Sequence, residues 1–302
     1  MNGGLVSAVD WRETEGLWVC SIVYYNEDYN ELVLTSGSNL SFRVEKGRYC
    51  TGYYELSRGD DDNFDSWRSL HPCPYDLEIT RSTRCLGCRT NNAMIQCIRC
   101  DGSTCNAIPD IREKCRKSTT YVYLAAFRNR IKAGVSRDRR VLKRWIEQGA
   151  DAAHIVLKGN GLEARRYEKR IQTELGASNH VLSSQKIVPA KRASINVSLE
   201  LLENYSDRVY RLIPDADKVN EEPVNLLPFY RLPEINGRPM PLKVQPGLQI
   251  NGIILGVKGP ILYVEMASQT YALDTHRLLA RRIEFGDFRT SNIQSSLERF
   301  IS

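Results

Sequence analysis

The sequence predicts an α+β chain: a β-rich N-terminal region with a cysteine-rich segment, a central α/β core, and a small C-terminal β module. Three observations predict it. Short polar–apolar alternations crowd residues 5–55, six of the nine cysteines fall between positions 85 and 115, and strand-like and helix-like periods alternate between 120 and 176.

The composition bounds the answer before any motif is read. At 302 residues, 42% hydrophobic and 26% charged, the chain has the make-up of an ordinary folded protein with room for several domains, so disorder is not the default. A net charge of +6 is consistent with a polyanionic partner, but where the charge clusters matters more than its sign. No run approaches the roughly eighteen apolar residues that cross a bilayer, and the start, MNGGLVSAVDWRETEG, has neither a basic nor an apolar leader region. The expectation is a cytoplasmic protein with no membrane partner.

The elements follow in order. LWVCSIVYY, ELVLTSG and LSFRVEKG read as short antiparallel strands, and GDDDNFD at 59–65 as a polar, solvated loop. Residues 120–182 read as strand YVYLAAF, a turn at Arg128–Asn129, strand IKAGVS, a helix over 138–148, strand AHIVLKG and a helix over 161–175. Val141, Leu142, Trp145 and Ile146 share one face of the first helix, which Gly149 ends. Leu162, Tyr167, Ile171 and Leu175 stripe the second, which Gly176 ends. The Pro-rich stretch 213–246 reads as irregular, and 247–285 as β-hairpins, with GVKG at 256–259 a hairpin turn rather than a phosphate loop because no helix pattern follows it. The expected domains are 1–80 (β-rich), 81–117 (cysteine-rich), 118–185 (core), 186–246 (irregular linker) and 247–302 (C-terminal β module).

CLGC at 85–88 and CIRC at 97–100 have the spacing of tetrahedral zinc, each turn aiming two thiolates at one ion. The segment around them is too poor in large apolar residues to fold on a core of its own, and a metal supplies the missing free energy. The expected ligands are Cys85, Cys88, Cys97 and Cys100, with Cys105 or Cys115 able to replace one of the inner pair, and a closed four-cysteine shell implies a structural Zn2+. No HxH or HExxH spacing connects the four histidines, which argues against a histidine metal hydrolase.

Residues 128–144 hold eight Lys or Arg and one acid, Asp138, a concentration of like charge that a purely structural segment avoids. Phosphates are the natural counter-ions, with Arg137, Arg139, Arg140 and Arg165 as candidate contacts to DNA or RNA.

The unit 120–176 resembles the GIY-YIG nuclease domain. Tyr121-Val122-Tyr123 stands at the GIY position, Lys132-Ala133-Gly134 at the YIG position, Arg144 in the following helix and Glu168 in the helix after it. More closely, the chain resembles an uncharacterised domain-of-unknown-function family that couples a β-rich region and cysteine pairs to a GIY-YIG-like core. Its features are RYCTGYY at 48–54, HPCP at 71–74, CLGC, KAGVSR at 132–137, RWIEQGA at 144–150 and EARRYEKRIQTELG.

The resemblance implies one-metal phosphodiester hydrolysis: Glu168 holding Mg2+ or Mn2+, Arg144 clamping the phosphate and Tyr123 placing the attacking water. Lysine at position 132 replaces the YIG tyrosine and serves as a phosphate contact or, desolvated among arginines, as a base. Glu163 rivals Glu168, but at a helix start it is accounted for by the helix dipole. The resulting expectation is a nucleic-acid-binding protein with the parts of a divalent-metal-dependent endonuclease. Its alternative is a non-catalytic, zinc-stabilised nucleic-acid or protein-binding scaffold on a degenerate nuclease fold.

Overall fold

A computed structural model describes residues 3–56, 68–92, 95–98, 100–187, 195–235 and 237–288. The loop expected at 59–65 lies outside the described residues. The chain forms two compact units, Met1–Asn92 with Ile235–Ser302, and Ala93–Glu234. Among the described residues no helix is long and apolar enough to cross a membrane.

The first unit holds β1 (Gly4–Thr14), β2 (Leu17–Asn26), β3 (Asp28–Val33), β4 (Asn39–Val44), β5 (Tyr53–Leu56), β6 (Arg68–His71) and the short α1 (Leu86–Thr90). The second holds α2 (Ile95–Ile98), α3 (Pro109–Lys117), β7 (Thr119–Phe127), β8 (Arg130–Arg137), α4 (Val141–Gln148), β9 (Ala152–Asn160), α5 (Gly161–Leu175), α6 (Ser183–Lys186), α7 (Ile195–Leu212), β10 (Asp217–Lys218), β11 (Val224–Asn225) and α8 (Leu227–Tyr230). The chain then returns to the first unit with β12 (Met240–Leu242), β13 (Gln249–Lys258), β14 (Ile261–Met266), β15 (Gln269–Asp274) and β16 (Arg282–Phe285).

The C-terminal strands do not make a module of their own. They join the N-terminal strands in one nine-stranded sheet of order β12-β15-β14-β13-β4-β16-β1-β2-β3. Long-range pairing decides this: β13 runs antiparallel to β4, with Ile250 opposite Phe42, and β16 bridges β4 and β1. GVKG falls at the end of β13, and Gly259-Pro260 turns the chain into β14, as a hairpin.

The second unit is built on a sheet of order β10-β9-β7-β8, to which β11 adds by pairing with β9. β7 and β8 are joined by a tight turn in which Arg128 takes φ 59° and its N–H donates to the Asp151 carboxylate at 2.5 Å. One face of this sheet carries Val122, Leu124, Ala126, Ile131 and Ala133 into a core with Ala164 and Ile171 of α5 and Leu202 and Val209 of α7. Period-two alternation sends Tyr123, Ala125 and Lys132 to the opposite side.

Helix α7 falls inside the segment expected to be an irregular linker. Its buried stripe is Ser198, Leu202, Ser206 and Val209, half of it serine, so the apolar period is diluted in the sequence. Ser206 is buried because its hydroxyl meets His154 Nδ1 at 2.7 Å, while His154 Nε2 meets the Glu221 carbonyl at 2.7 Å. His154 is therefore a fully bonded core residue, and burial lowers its pKa.

Candidate functional site

Four cysteines of the first unit converge. Cys50 follows β4 in a loop, Cys73 follows β6 between Pro72 and Pro74, and Cys85 caps α1, which carries Cys88. All four sulfurs lie within 4.8 Å of one another, Cys73 and Cys85 being 4.0 Å apart. A shell of thiolates about 2.3 Å from zinc has edges of roughly 3.8 Å, so the spacing fits a tetrahedral ion with little adjustment.

The backbone around the cluster explains its placement. The Cys50 N–H donates to Leu77 O at 2.9 Å, and the Thr51 N–H and hydroxyl both donate to Thr83 O, at 2.9 and 3.0 Å, which ties the Cys50 loop to the approach of Cys85. Gly52 has φ +84°, and a Cβ there would overlap the His71 carbonyl, so only glycine lets the Cys50 and Cys73 loops come together.

Amide donors point at sulfur: Cys85 N–H to Cys50 Sγ at 3.1 Å and Cys88 N–H to Cys85 Sγ at 3.5 Å. Burial raises the Cys85 pKa, but the bonds from Cys88 and the neighbouring thiols outweigh it and leave that thiol below its ordinary value. Burial keeps Cys50 and Cys88 above theirs. The group can hold a metal ion, and its all-thiolate donor set is zinc chemistry.

Of the ligands expected from the two CxxC turns, Cys85 and Cys88 belong to this group together with Cys50 and Cys73. Cys97 and Cys100 lie in the other unit. The sequence signal for Cys50 and Cys73 was present but unassigned: each sits among turn residues, in RYCTG and HPCP, as Cys85 and Cys88 do in CLGC.

In the second unit, Tyr123, Lys132, Arg144 and Glu168 bear on one another. Tyr123 is only 1% exposed. Opposite it in register stands Gly134, where a Cβ would come within 2.5 Å of the tyrosine ring carbon Cζ and hydroxyl oxygen, so the ring lies in the space a side chain would need. Its edge meets Trp145 of α4 at 6.0 Å between centroids and 72° between planes.

The Tyr123 hydroxyl accepts from Gln148 Nε2 at 2.8 Å. Burial raises its pKa, opposed by the Arg144 guanidinium and the Gln148 bond, with Glu168 acting in the raising direction. The phenol is therefore a protonated, buried group. Gln148 was not anticipated from the sequence, since a polar residue on the inner face of α4 breaks the stripe that reveals the helix.

Lys132 lies on the same side of the sheet, where burial first, and then Arg144 and Arg165, lower its pKa from 10.5 to about 8 against the opposing pull of Glu168. Glu168 is 14% exposed and paired with Arg165 at 2.9 Å, while Arg144, 46% exposed, pairs with Glu147 at 3.5 Å. Arg144 and Glu168 are thus paired each within its own helix. Beside the phenol, Trp145 Nε1 and Gln148 Oε1 are buried without a hydrogen-bond partner among the described residues.

The remaining expected residues divide between site and scaffold. Glu163 is used at the start of α5, where its carboxylate accepts from the Asn160 N–H at 3.0 Å while the Asn160 side chain accepts from Leu162 and Glu163. Arg140 lies 3.5 Å from Glu147. Arg137 acts electrostatically on Cys115; of the other arginines that share α5 with Arg165, Arg166 donates to Gly102 O at 2.6 Å and Arg170 pairs with Glu174 at 2.7 Å. The Arg139 side chain lies outside the described set.

A mixed α/β chain with a four-thiol cluster and, on a separate unit, a cationic site around a buried tyrosine is the class of protein these features define. The chain belongs to the DUF2797 family, described as a protein of unknown function, whose sequence model matches residues 37–279. No curated protein and no solved structure matches it.

Proposed function

We propose that the chain is a nucleic-acid-binding protein whose second unit is a GIY-YIG-like phosphodiesterase core, and that Cys50, Cys73, Cys85 and Cys88 hold a structural zinc in the first. The observation that carries the reading is the mutual approach of Tyr123, Lys132, Arg144 and Glu168, brought from two strands and two helices to one place. Ordinary surface ion pairs do not require a lysine to be buried among arginines.

The residues divide the work as follows. Arg144, half-exposed, receives the scissile phosphate, and Arg165 joins it when Glu168 is otherwise engaged. Lys132, with a pKa of about 8, is mostly protonated at pH 7, with about one molecule in ten neutral, and in that fraction its amine takes the proton of the attacking water. Tyr123 is closed to solvent, so its hydroxyl positions Arg144 and Gln148 rather than water.

Glu168 is the carboxylate that would hold Mg2+ or Mn2+. One carboxylate suits an ion that keeps most of its waters, and the surrounding cations favour loading it together with an anionic phosphate. When bound, the ion would neutralise charge on the phosphate and leaving oxygen.

The pairing of Glu168 with Arg165 favours a second reading, a zinc-stabilised scaffold that binds nucleic acid or protein without cutting. The experiment that separates the two incubates labelled single-stranded, double-stranded and branched DNA and RNA with Mg2+ or Mn2+ and wild type or Glu168→Gln. Cutting by the wild type, with the variant still binding but no longer cutting, is the expected result. Retarded but intact substrates with both proteins would leave the scaffold.

A further inference from the structure

Four further cysteines of the second unit remain without a role. Cys97 lies on α2, and Cys100 follows through a turn closed by its N–H to Cys97 O at 3.3 Å. Beyond it, the loop leading to Cys105 is fastened to α5 by the bond from Arg166 Nε to Gly102 O at 2.6 Å. Cys115, on α3, is packed so closely on the first residue of α5 that a Cβ on Gly161 would overlap its sulfur. The CxxC turn, the Cys105 loop and α3 are thereby gathered at the start of one helix.

The electrostatics agree with the packing. Burial raises the Cys97 pKa first, and Cys115, Cys100 and Cys105 act in the same direction, so Cys97 senses each of the other three thiols. Burial also raises Cys115, whose other neighbours include Cys105 and Cys100 on one side and the guanidinium groups of Arg137 and Arg165 on the other. All four are free thiols of intermediate burial. Among the described residues of 95–117 the buried hydrophobics are Ala107 and Ile111, too little for a core.

The geometry points to a second metal centre: Cys97, Cys100, Cys105 and Cys115 bind one zinc-class ion as thiolates, separately from Cys50, Cys73, Cys85 and Cys88. Four thiols release their protons and form four metal–sulfur bonds, with no change of oxidation state. Among the described residues the first group is the one whose four sulfurs all lie within 4.8 Å of one another, so an ion at the second centre would have to draw its thiols together. The four-thiolate shell carries an excess of negative charge, which Arg137 and Arg165 offset. The ion would fasten α3 and the cysteine loop to the first turns of α5, the helix that bears Arg165 and Glu168. This inference goes beyond the proposed activity and stands whether or not the core cuts nucleic acid.

The test is elemental analysis of the purified full chain. Two tetrahedral sites predict about two ions per chain in the wild type. Cys97→Ser with Cys100→Ser should lose about half of the metal, and Cys50→Ser with Cys73→Ser the other half. About one ion in the wild type, unaffected by the Cys97/Cys100 change, would overturn the second centre. Should the variants fail to fold, cobalt titration of the metal-stripped wild-type chain decides the matter alone. Sulfur-to-cobalt absorption saturating near two equivalents is the expected result, and saturation near one refutes it.

Discussion

Replacing Lys132 by methionine should make the protein more stable. The fall of its pKa from 10.5 to about 8 corresponds to about 3 kcal/mol of cost borne by the folded chain for holding an ammonium group, desolvated, beside Arg144 and Arg165. The sign follows from proton counting. Below about pH 8 the lysine is protonated in folded and unfolded chains alike and the whole cost is present. Between about 8 and 10.5 the unfolded chain keeps a proton that the folded chain has released, so stability rises with pH and the cost is removed.

Methionine keeps the length of the side chain and removes the charge, leaving Glu168 paired with Arg165. Lys132→Met should therefore gain about 1–3 kcal/mol near neutral pH, with the gain shrinking towards zero as pH approaches about 10.5. Urea unfolding followed by circular dichroism at a series of pH values measures it. A variant that is less stable than wild type near neutrality, or whose difference from wild type does not change with pH, would refute the reasoning and make Lys132 an ordinary paired surface lysine.

Three further outcomes follow from the packing. Gly134→Ala must push the Tyr123 ring out of its place, costing about 2 kcal/mol, and an unchanged urea midpoint would mean that the ring is not fixed there. Tyr123→Phe keeps the edge contact with Trp145 but leaves Gln148 Nε2 without its acceptor, for a loss of about 1–2 kcal/mol by the same assay. Cys73→Ser removes one member of the thiol cluster and should lower its metal affinity by at least about tenfold in a competition titration with a chromophoric chelator; unchanged affinity would exclude Cys73 as a ligand.

What could be read from the sequence followed the range of the interactions. The strand, turn, strand, helix, strand, helix order from 119 to 175 was legible because each element carries its own signal: alternation in β7 and β8, apolar stripes in α4 and α5, and Gly149 and Gly176 in left-handed conformation closing the helices. Helix α7 was hidden because Ser198 and Ser206 occupy half of its buried stripe, the latter bonded to a histidine that is distant in sequence. The union of β13–β16 with β1–β4 depends on pairing across some two hundred residues, on which local periodicity is silent. The thiol cluster was half legible for the same reason. The 85–88 turn announces itself by spacing, whereas Cys50 and Cys73 come to it through loops whose approach is set by Gly52 and the Thr51–Thr83 bonds. In the second unit, the resemblance to the GIY-YIG domain singled out Tyr123, Lys132, Arg144 and Glu168 as candidates, but their partners Glu147, Arg165 and Gln148 needed coordinates.

The most direct test of the account is the rate of metal-dependent phosphodiester cleavage against pH for wild type, Lys132→Arg and Glu168→Gln in one assay. The account predicts a wild-type rate that climbs about tenfold per pH unit and levels off near about 8, with both variants inactive across the range. Wild-type cleavage no faster than that of Glu168→Gln at every pH would contradict it and leave the second unit as a binding surface.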